Sequence, residues 1–176
     1  MNRKERRALI AMGRKGVERG RYGWEHYISP IGDQLFDQPL SESEIALSEK
    51  IAAWRDGQGG EWFHGGIRGR AVGDYLLPAT ETGQDPRNNG DLFLWRKNFV
   101  YITHSITDAA IYAHKCSGVV YRVRPLGRLG VDPTALRRLR LANMASKTSK
   151  IRQFDIFEKA SEFVCERAEV LEVIEC

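Results

Sequence analysis

The feature that most constrains the fold is a change in sequence texture after residue 60. A glycine-rich run, Asp-Gly-Gln-Gly-Gly at 56–60, is followed by short apolar segments separated by turn-forming glycines and prolines. Such segments are typical of short strands rather than of long helices. Those expected to be extended are 61–64, 98–103, 119–124 (ended by Pro125), 154–157, 162–165 and 169–174. The sequence therefore predicts an α+β domain over 61–176, dominated by short strands.

Two helices and one helical or mixed segment are also expected. Ser41-Glu-Ser-Glu44 matches a capping box, and the apolar residues after it predict a helix at about 43–56. Ser105 is a suitable N-cap for a second helix that runs to about residue 117, with Gly118 as its stop. Residues 134–147 favour a helical or mixed structure. We interpret 1–60 as a basic N-terminal extension that contains the first helix.

Composition and charge exclude several classes of protein. A chain of 176 residues suits one compact domain with a short appendage, and no apolar stretch approaches the roughly 18 residues of a membrane helix. The cysteines, Cys116, Cys165 and Cys176, show no metal-binding spacing, which favours reduced thiols in a cytoplasmic protein. The net charge of +4 is concentrated in residues 1–21, which hold eight Lys or Arg residues. This arm can attract an acidic partner or can simply be a solvated tail.

Several residues are candidates for a site, although each has an ordinary structural explanation. His64 ends a short strand and precedes two glycines, so Gly65 could offer its backbone N–H and C=O to a planar amide. Tyr101 lies within a strand, and Tyr112 lies eleven residues later on the following helix, so the two rings could stack on a planar heterocycle. Asp132 precedes a proline, where it is either a helix N-cap or a carboxylate at the mouth of a cleft.

Competing chemical motifs are missing from the sequence. It contains no glycine-rich phosphate loop of either common type and no nucleophile elbow. His104 and His114 are ten residues apart and would not both ligate a metal from one helix face. We therefore expect no metal.

Seven segments, taken in order, resemble the rifamycin ADP-ribosyltransferases (the Arr family) of the ADP-ribosyltransferase superfamily. The resemblance covers about 62–175, with departures at Gly66, where the family has Thr, and at Tyr112, where it has Trp. The stretch 134–160 does not match the part of the family fold that helps to hold the antibiotic. The matching segments are Phe63–Gly66, Val72–Pro78, Asn98–Thr103, Asp108–Tyr112, Val120–Gly127, Val131–Pro133 and Ala168–Ile174.

The resemblance implies a compact ADP-ribosyltransferase-like split β-sheet core with short helices, and it implies NAD as co-substrate. His64, Tyr101 and Asp132 would be catalytic, while Gly65 and Tyr112 would help His64 and Tyr101 to bind NAD. The nicotinamide–ribose bond would break through an oxocarbenium-like transition state, which Asp132 would stabilise. The leaving group is already cationic, so no general acid is needed.

The acceptor of ADP-ribose is open at this point. It could be a protein, a nucleic acid or a rifamycin-like small molecule, and the basic arm at 1–21 slightly favours a macromolecule. Two other functions are kept as alternatives. One is an RNA 2′-phosphotransferase of the same superfamily, although its constellation of His and Arg residues is not recognisable here. The other is a non-catalytic module that binds nucleic acid through the basic arm.

Overall fold

The computed structural model describes residues 40–83, 98–149 and 155–175. These residues form two compact units, which are considered separately. The sheet unit comprises the described residues of Ser41–Asp132 and Ser161–Cys176, and the helical unit comprises those of Pro133–Ala160. The basic arm at 1–21 lies outside the described residues.

The sheet unit has an α+β architecture, as the sequence predicts. Its elements in chain order are α1 (Glu42–Gly57), β1 (Trp62–Gly66), β2 (Tyr75–Leu76), α2 (Ala79–Thr82), β3 (Val100–Ile102), α3 (Ile106–Lys115), β4 (Val119–Val131) and β5 (Phe163–Ile174). The strands form one antiparallel sheet in the order β1-β4-β5-β2, and β3 pairs with β5. The long strands β4 and β5 pair with each other along most of their length.

Helix α1 begins and ends where the sequence predicts. The Glu44 carboxylate accepts the backbone N–H of Ser41 at 2.9 Å, which satisfies a donor that the first helical turn leaves open. The buried Ser48 hydroxyl accepts the N–H of Val131 at 2.7 Å, so α1 is attached to the end of β4. A Cβ at Gly130 would lie 2.7 Å from the Ser48 oxygen, and this glycine therefore permits the close approach. The helix precedes the expected boundary at residue 60, and the sheet unit begins at Ser41.

Strand β4 corrects the expectation that Pro125 ends the strand. Pro125 pairs with Ala168, and β4 continues to Val131. Two register shifts, one at Arg122/Val123 and one between Leu126 and Leu129, interrupt the ladder. Pro125 lies between these shifts and beyond Val123, the last residue of β4 that pairs with β1. Proline is tolerated in a strand where one edge is unpaired, because its missing N–H then removes no ladder bond.

The C-terminal segments also differ from the prediction. The expected strands at 162–165 and 169–174 are one continuous strand, β5. The expected extended segment at 154–157 is wrong for its described part, because the helical unit contains α4 (Pro133–Ser149) and α5 (Ile156–Lys159). The Asp155 carboxylate accepts the N–H of Phe157 at 2.8 Å, so a local cap outweighs the strand propensity of two aromatic residues. Helices α4 and α5 contact each other.

Candidate functional site

Strands β1 and β3 meet, within the described residues, at one bridge between Phe63 and Thr103. The N–H of Phe63 donates to Thr103 at 2.8 Å, and the N–H of Thr103 donates to Phe63 at 2.9 Å. Backbone polar groups of alternate residues in a strand point to the same edge. The N–H and C=O of Gly65 and of Tyr101 are therefore directed into the space between β1 and β3, beyond the bridge.

The His64 ring occupies the place of the next ladder bond. In a continued antiparallel ladder the carbonyl of Tyr101 would accept the N–H of Gly65, because these residues follow the Phe63–Thr103 pair in register. Instead, Nδ1 of His64 lies 2.7 Å from that carbonyl oxygen. A carbonyl only accepts, so Nδ1 carries the proton and Nε2 is the acceptor of the neutral ring. We name this place, formed by His64, Gly65 and Tyr101, the notch.

Helix α3 packs directly on the notch at Gly65. A Cβ on this residue would lie 1.9 Å from the carbonyl oxygen of Ala109 and 2.7 Å from the backbone nitrogen of Ala113. Both alanines are fully buried in a cluster with Phe63 and Val120. The missing side chain at Gly65 thus lets the helix backbone touch the strand, and this is a packing reason for glycine that the sequence analysis did not anticipate.

Gly66 has a different neighbour, the His64 side chain itself. A Cβ at Gly66 would lie 2.5 Å from Nε2 of His64 and 2.9 Å from its Cδ2. The imidazole is therefore held over the Gly66 backbone while Nδ1 is bonded to Tyr101. A glycine in place of the threonine of the resembled family fits this position of the ring.

The two tyrosines expected to stack lie on β3, which contributes Tyr101 to the notch, and on α3, which packs on Gly65. Tyr101 is two residues before Thr103, the partner of Phe63, so alternation directs its side chain to the face of the sheet that carries α3. Tyr112 lies on α3 between the two alanines that face the strand, and its side chain is 47% exposed. The Lys115 ammonium lies 5.1 Å from the centre of its ring. Tyr112 is thus outside the core, and its stacking opposite Tyr101 stays a prediction.

Asp132 lies at the other end of β4 from the strand residues that pair with β1. It is 3% exposed, and its N–H donates to the Glu162 carbonyl at 2.9 Å. Val131, the residue before Asp132, pairs with Phe163 of β5 on one side, and Ile102 of β3 pairs with it on the other. The backbones of Val131 and Ile102 are therefore about 10 Å apart, twice the spacing of neighbouring strands. The residue also directly precedes α4, as the N-cap interpretation requires. Its part in a shared site stays a prediction.

Tyr121 is a site residue that sequence reasoning missed. It pairs with His64 across β1 and β4, and the two ring centres are 6.3 Å apart with nearly parallel planes. The side chain is 1% exposed, and its hydroxyl donates to the Ile67 carbonyl at 2.7 Å. An alternating Val-Val-Tyr-Arg-Val segment indicates a core tyrosine, and only the register between distant strands shows its neighbour.

His104 follows Thr103, so it lies next to the bridge at the end away from His64 along the strands. Its surroundings differ from those of His64. Its ring centre lies 3.6 Å from that of Trp62, and the edge of Phe163 approaches it. Its Nε2 is buried without a hydrogen-bond partner in the described structure. Burial lowers the pKa of His104 below its usual 6.5, and this outweighs the raising effect of its backbone hydrogen bond with Glu61.

One pocket of the sheet unit has a lining that includes none of the notch residues. It has a volume of about 350 Å³ and is lined by Pro78, Glu81, Asn98, Leu126, Gly127, Glu166 and Arg167. Arg167 and Glu81 form an ion pair at 3.3 Å in it. Across the described residues, no group of three or more His, Cys, Asp or Glu side chains is arranged to hold a metal ion.

No protein-family model matches the chain, and no curated protein matches it significantly. Within the part of the chain that the structure describes, no helix is both long and apolar enough to cross a membrane.

Proposed function

We propose that the chain is an NAD-dependent mono-ADP-ribosyltransferase and that the notch binds the nicotinamide end of NAD. The observation that carries this proposal is the His64–Tyr101 bond of 2.7 Å. Because Nδ1 of His64 bonds to the Tyr101 carbonyl, this carbonyl does not form the ladder bond with the N–H of Gly65. The edge of β1 at Gly65 therefore does not continue the ladder with β3. The Arr-like motifs quoted above contribute His64, Gly65 and Tyr101 in the order that this chemistry needs, and Tyr112 supplies an aromatic ring where the family has Trp.

The backbone of Gly65 suits a carboxamide. A primary amide has a C=O that accepts and an NH₂ that donates, and the N–H and C=O of one strand residue on one edge complement both groups. The register directs these two groups of Gly65 toward β3, where the bridge has ended. The backbone of α3 packs against Gly65 on the side where a Cβ would lie, and this contact fixes the position of the residue. The donor set of the notch therefore fits the nicotinamide group.

His64 is suited to hold the sugar that follows. In the neutral tautomer that carries its proton on Nδ1, the imidazole can accept a hydrogen bond from a ribose hydroxyl at Nε2. Tyr101 lies on the side of the sheet that carries α3, and the half-exposed Tyr112 supplies a second ring. In the proposal the nicotinamide ring lies between these two rings, and aromatic stacking favours its binding there.

NAD supplies a nicotinamide–ribose bond with a leaving group that departs neutral. The residues of the chain then have to position the sugar and stabilise positive charge at its anomeric carbon. We assign the second task to the Asp132 carboxylate, which could also orient the nucleophile. In this proposal the antiparallel sheet is an ADP-ribosyltransferase-like core, and the acceptor is a macromolecule rather than a rifamycin. Residues 1–21 would attract it if it is acidic.

The test uses NAD labelled in its adenylate part, with separate pools of protein, RNA, DNA and rifamycin. We expect release of nicotinamide without added metal and transfer of label to one macromolecular pool. The matched pair of variants is His64→Asn and His114→Asn, because His114 is an exposed histidine on α3. We expect loss of activity only in the first. If NAD neither binds nor loses nicotinamide with any pool, the enzyme proposal is wrong; label on rifamycin alone would make the chain an antibiotic-modifying enzyme.

A further inference from the structure

The turn that follows β1 presents two arginines beside the notch. Residues 67–70, Ile-Arg-Gly-Arg, are exposed and begin directly after Gly66. We name them the arginine turn. Gly69, between Arg68 and Arg70, has a φ of +113°, which a residue with an L side chain rarely adopts. The conformation of the turn therefore depends on this glycine.

The arginine turn is tied to the His64 ring through Tyr121. The Tyr121 hydroxyl donates to the Ile67 carbonyl at 2.7 Å and lies 3.4 Å from the N–H of Arg70. The ring of the same tyrosine lies beside that of His64. The turn is therefore attached on the side of the sheet where the His64 side chain originates, and one buried residue sets its distance from the notch.

A second fixed point follows the arginine turn. The Asp74 carboxylate accepts the N–H of Ala71 at 2.8 Å, and the Asp74 carbonyl accepts the N–H of Val170 at 2.9 Å. The N–H of Gly73 donates to the Val170 carbonyl at 2.9 Å. The backbone on both sides of the arginines is thus bonded to the sheet, while the two guanidinium groups stand in solvent.

These guanidinium groups are available to an anion. Within the described residues, Arg70 makes no ion pair. Arg68 pairs with Glu175, but both side chains are more than half exposed. Exposed pairs of this kind contribute about 0–1 kcal/mol, so a phosphate can displace the carboxylate at small cost. Arginine also matches phosphate oxygens with two parallel N–H donors.

We propose that Arg68 and Arg70 bind the pyrophosphate of NAD and that Tyr121 positions the arginine turn for this contact. The inference rests on the proposed function, because it assumes that nicotinamide is bound at Gly65 and ribose at His64. The dinucleotide then continues past His64 toward the turn. Arg68 is four residues beyond His64, so their Cα atoms are within about 14 Å.

The decisive experiment measures equilibrium binding of ADP-ribose and of nicotinamide to the full chain by calorimetry. The double variant Arg68→Gln/Arg70→Gln should bind ADP-ribose about tenfold or more weakly, since two charge-assisted contacts are lost. Its affinity for nicotinamide should be unchanged. The control is Arg124→Gln/Arg128→Gln, which removes two exposed arginines that pair with Glu169 and Glu49. This control should bind both ligands as the unaltered chain does.

Two further variants give effects that a general loss of positive charge would not. Glu175→Gln frees Arg68 and should strengthen ADP-ribose binding about twofold. Tyr121→Phe keeps every charge but removes the hydroxyl that holds the turn, and it should weaken ADP-ribose binding while thermal denaturation shows a folded protein. If Tyr121→Phe is without effect on binding, Tyr121 is not a positioning residue.

The outcomes separate this inference from the proposed function. Binding of NAD and nicotinamide by the unaltered chain, with equal ADP-ribose affinity in the double arginine variant, overturns the inference and leaves the enzyme proposal standing. Failure of the unaltered chain to bind NAD overturns both. Equal competition by inorganic pyrophosphate in the unaltered chain and in the double variant would also overturn the assignment of these arginines.

Discussion

His64 and His104 lie next to the two residues of one backbone bridge, yet their surroundings differ. His64 follows Phe63, is partly exposed, and bonds through Nδ1 to a backbone carbonyl. His104 follows Thr103 and packs against Trp62 with a buried Nε2. The first ring interrupts the pairing of two strands, whereas the second fills space between aromatic side chains. Residue type and strand position therefore do not distinguish a candidate site histidine from a packing histidine, whereas the contacts of the ring nitrogens do.

Replacement of His64 should change the rate of nicotinamide release more than any other substitution considered below. His64→Ala should lower nicotinamide release about 100-fold, a typical loss for removing one preorganised polar group from an active site. The free energy of unfolding should fall by only about 1 kcal/mol, because one partly exposed hydrogen bond is lost. Single-turnover assays and urea denaturation measure the two quantities. A strongly destabilised variant with unchanged release per folded molecule would make His64 a packing residue as well.

The second histidine should show the opposite pattern. His104→Ala removes a ring from between Trp62 and Phe163 and should lower the free energy of unfolding by about 2 kcal/mol. Nicotinamide release per folded molecule should stay within about twofold of the original, because the ring packs against Trp62 and Phe163 rather than against a residue of the notch. Urea denaturation with both activity and folded fraction measured on one sample checks this. Stability equal to that of the unaltered chain would remove the contrast between the two histidines.

Gly66 tests how firmly the first ring is held. Gly66→Ala places a Cβ where Nε2 of His64 now lies, so the ring must turn and its bond to Tyr101 must weaken. We expect about tenfold slower nicotinamide release with nearly unchanged stability, since the clash is with the end of one side chain. Gly57→Ala is the control, because a Cβ there meets nothing within 4 Å. Full activity in Gly66→Ala would show that the ring position is not critical.

Local patterns predicted the parts of this fold that depend on neighbours in the chain. The capping box at Ser41 and the N-cap at Ser105 mark helices α1 and α3, and the structure confirms both. The continuation of β4 past Pro125 was not predictable, because it depends on bulges set by pairing with β5. In the candidate site, His64, Gly65 and Tyr101 were chosen from the sequence and lie together. Tyr121 and the contrast with His104 depend on strand register, which no local pattern contains.

The smallest expected effect is a pH dependence of stability that originates at His104. Burial lowers the pKa of this group, so the unfolded state binds more protons at pH values between the folded pKa and 6.5. Its contribution is therefore fully present above pH 6.5 and is lost as pH falls through that window. The nearby charges of Arg55 and Asp56 act in opposite directions. Urea denaturation from pH 7.5 to 5 should show a decrease that His104→Gln reduces; an equal decrease in that variant would assign it to other groups.

The central claim is that nicotinamide binds at the edge of β1 that the His64 ring exposes. The most direct test is backbone amide chemical-shift mapping of the ¹⁵N-labelled chain during titration with nicotinamide. We predict that the Gly65 amide shifts most, with smaller changes at Tyr101 and in α3, and that His64→Ala alters this pattern. Saturable shifts confined to another region, such as the pocket at Glu166 and Arg167, or no shift at Gly65 when nicotinamide is bound, would contradict it.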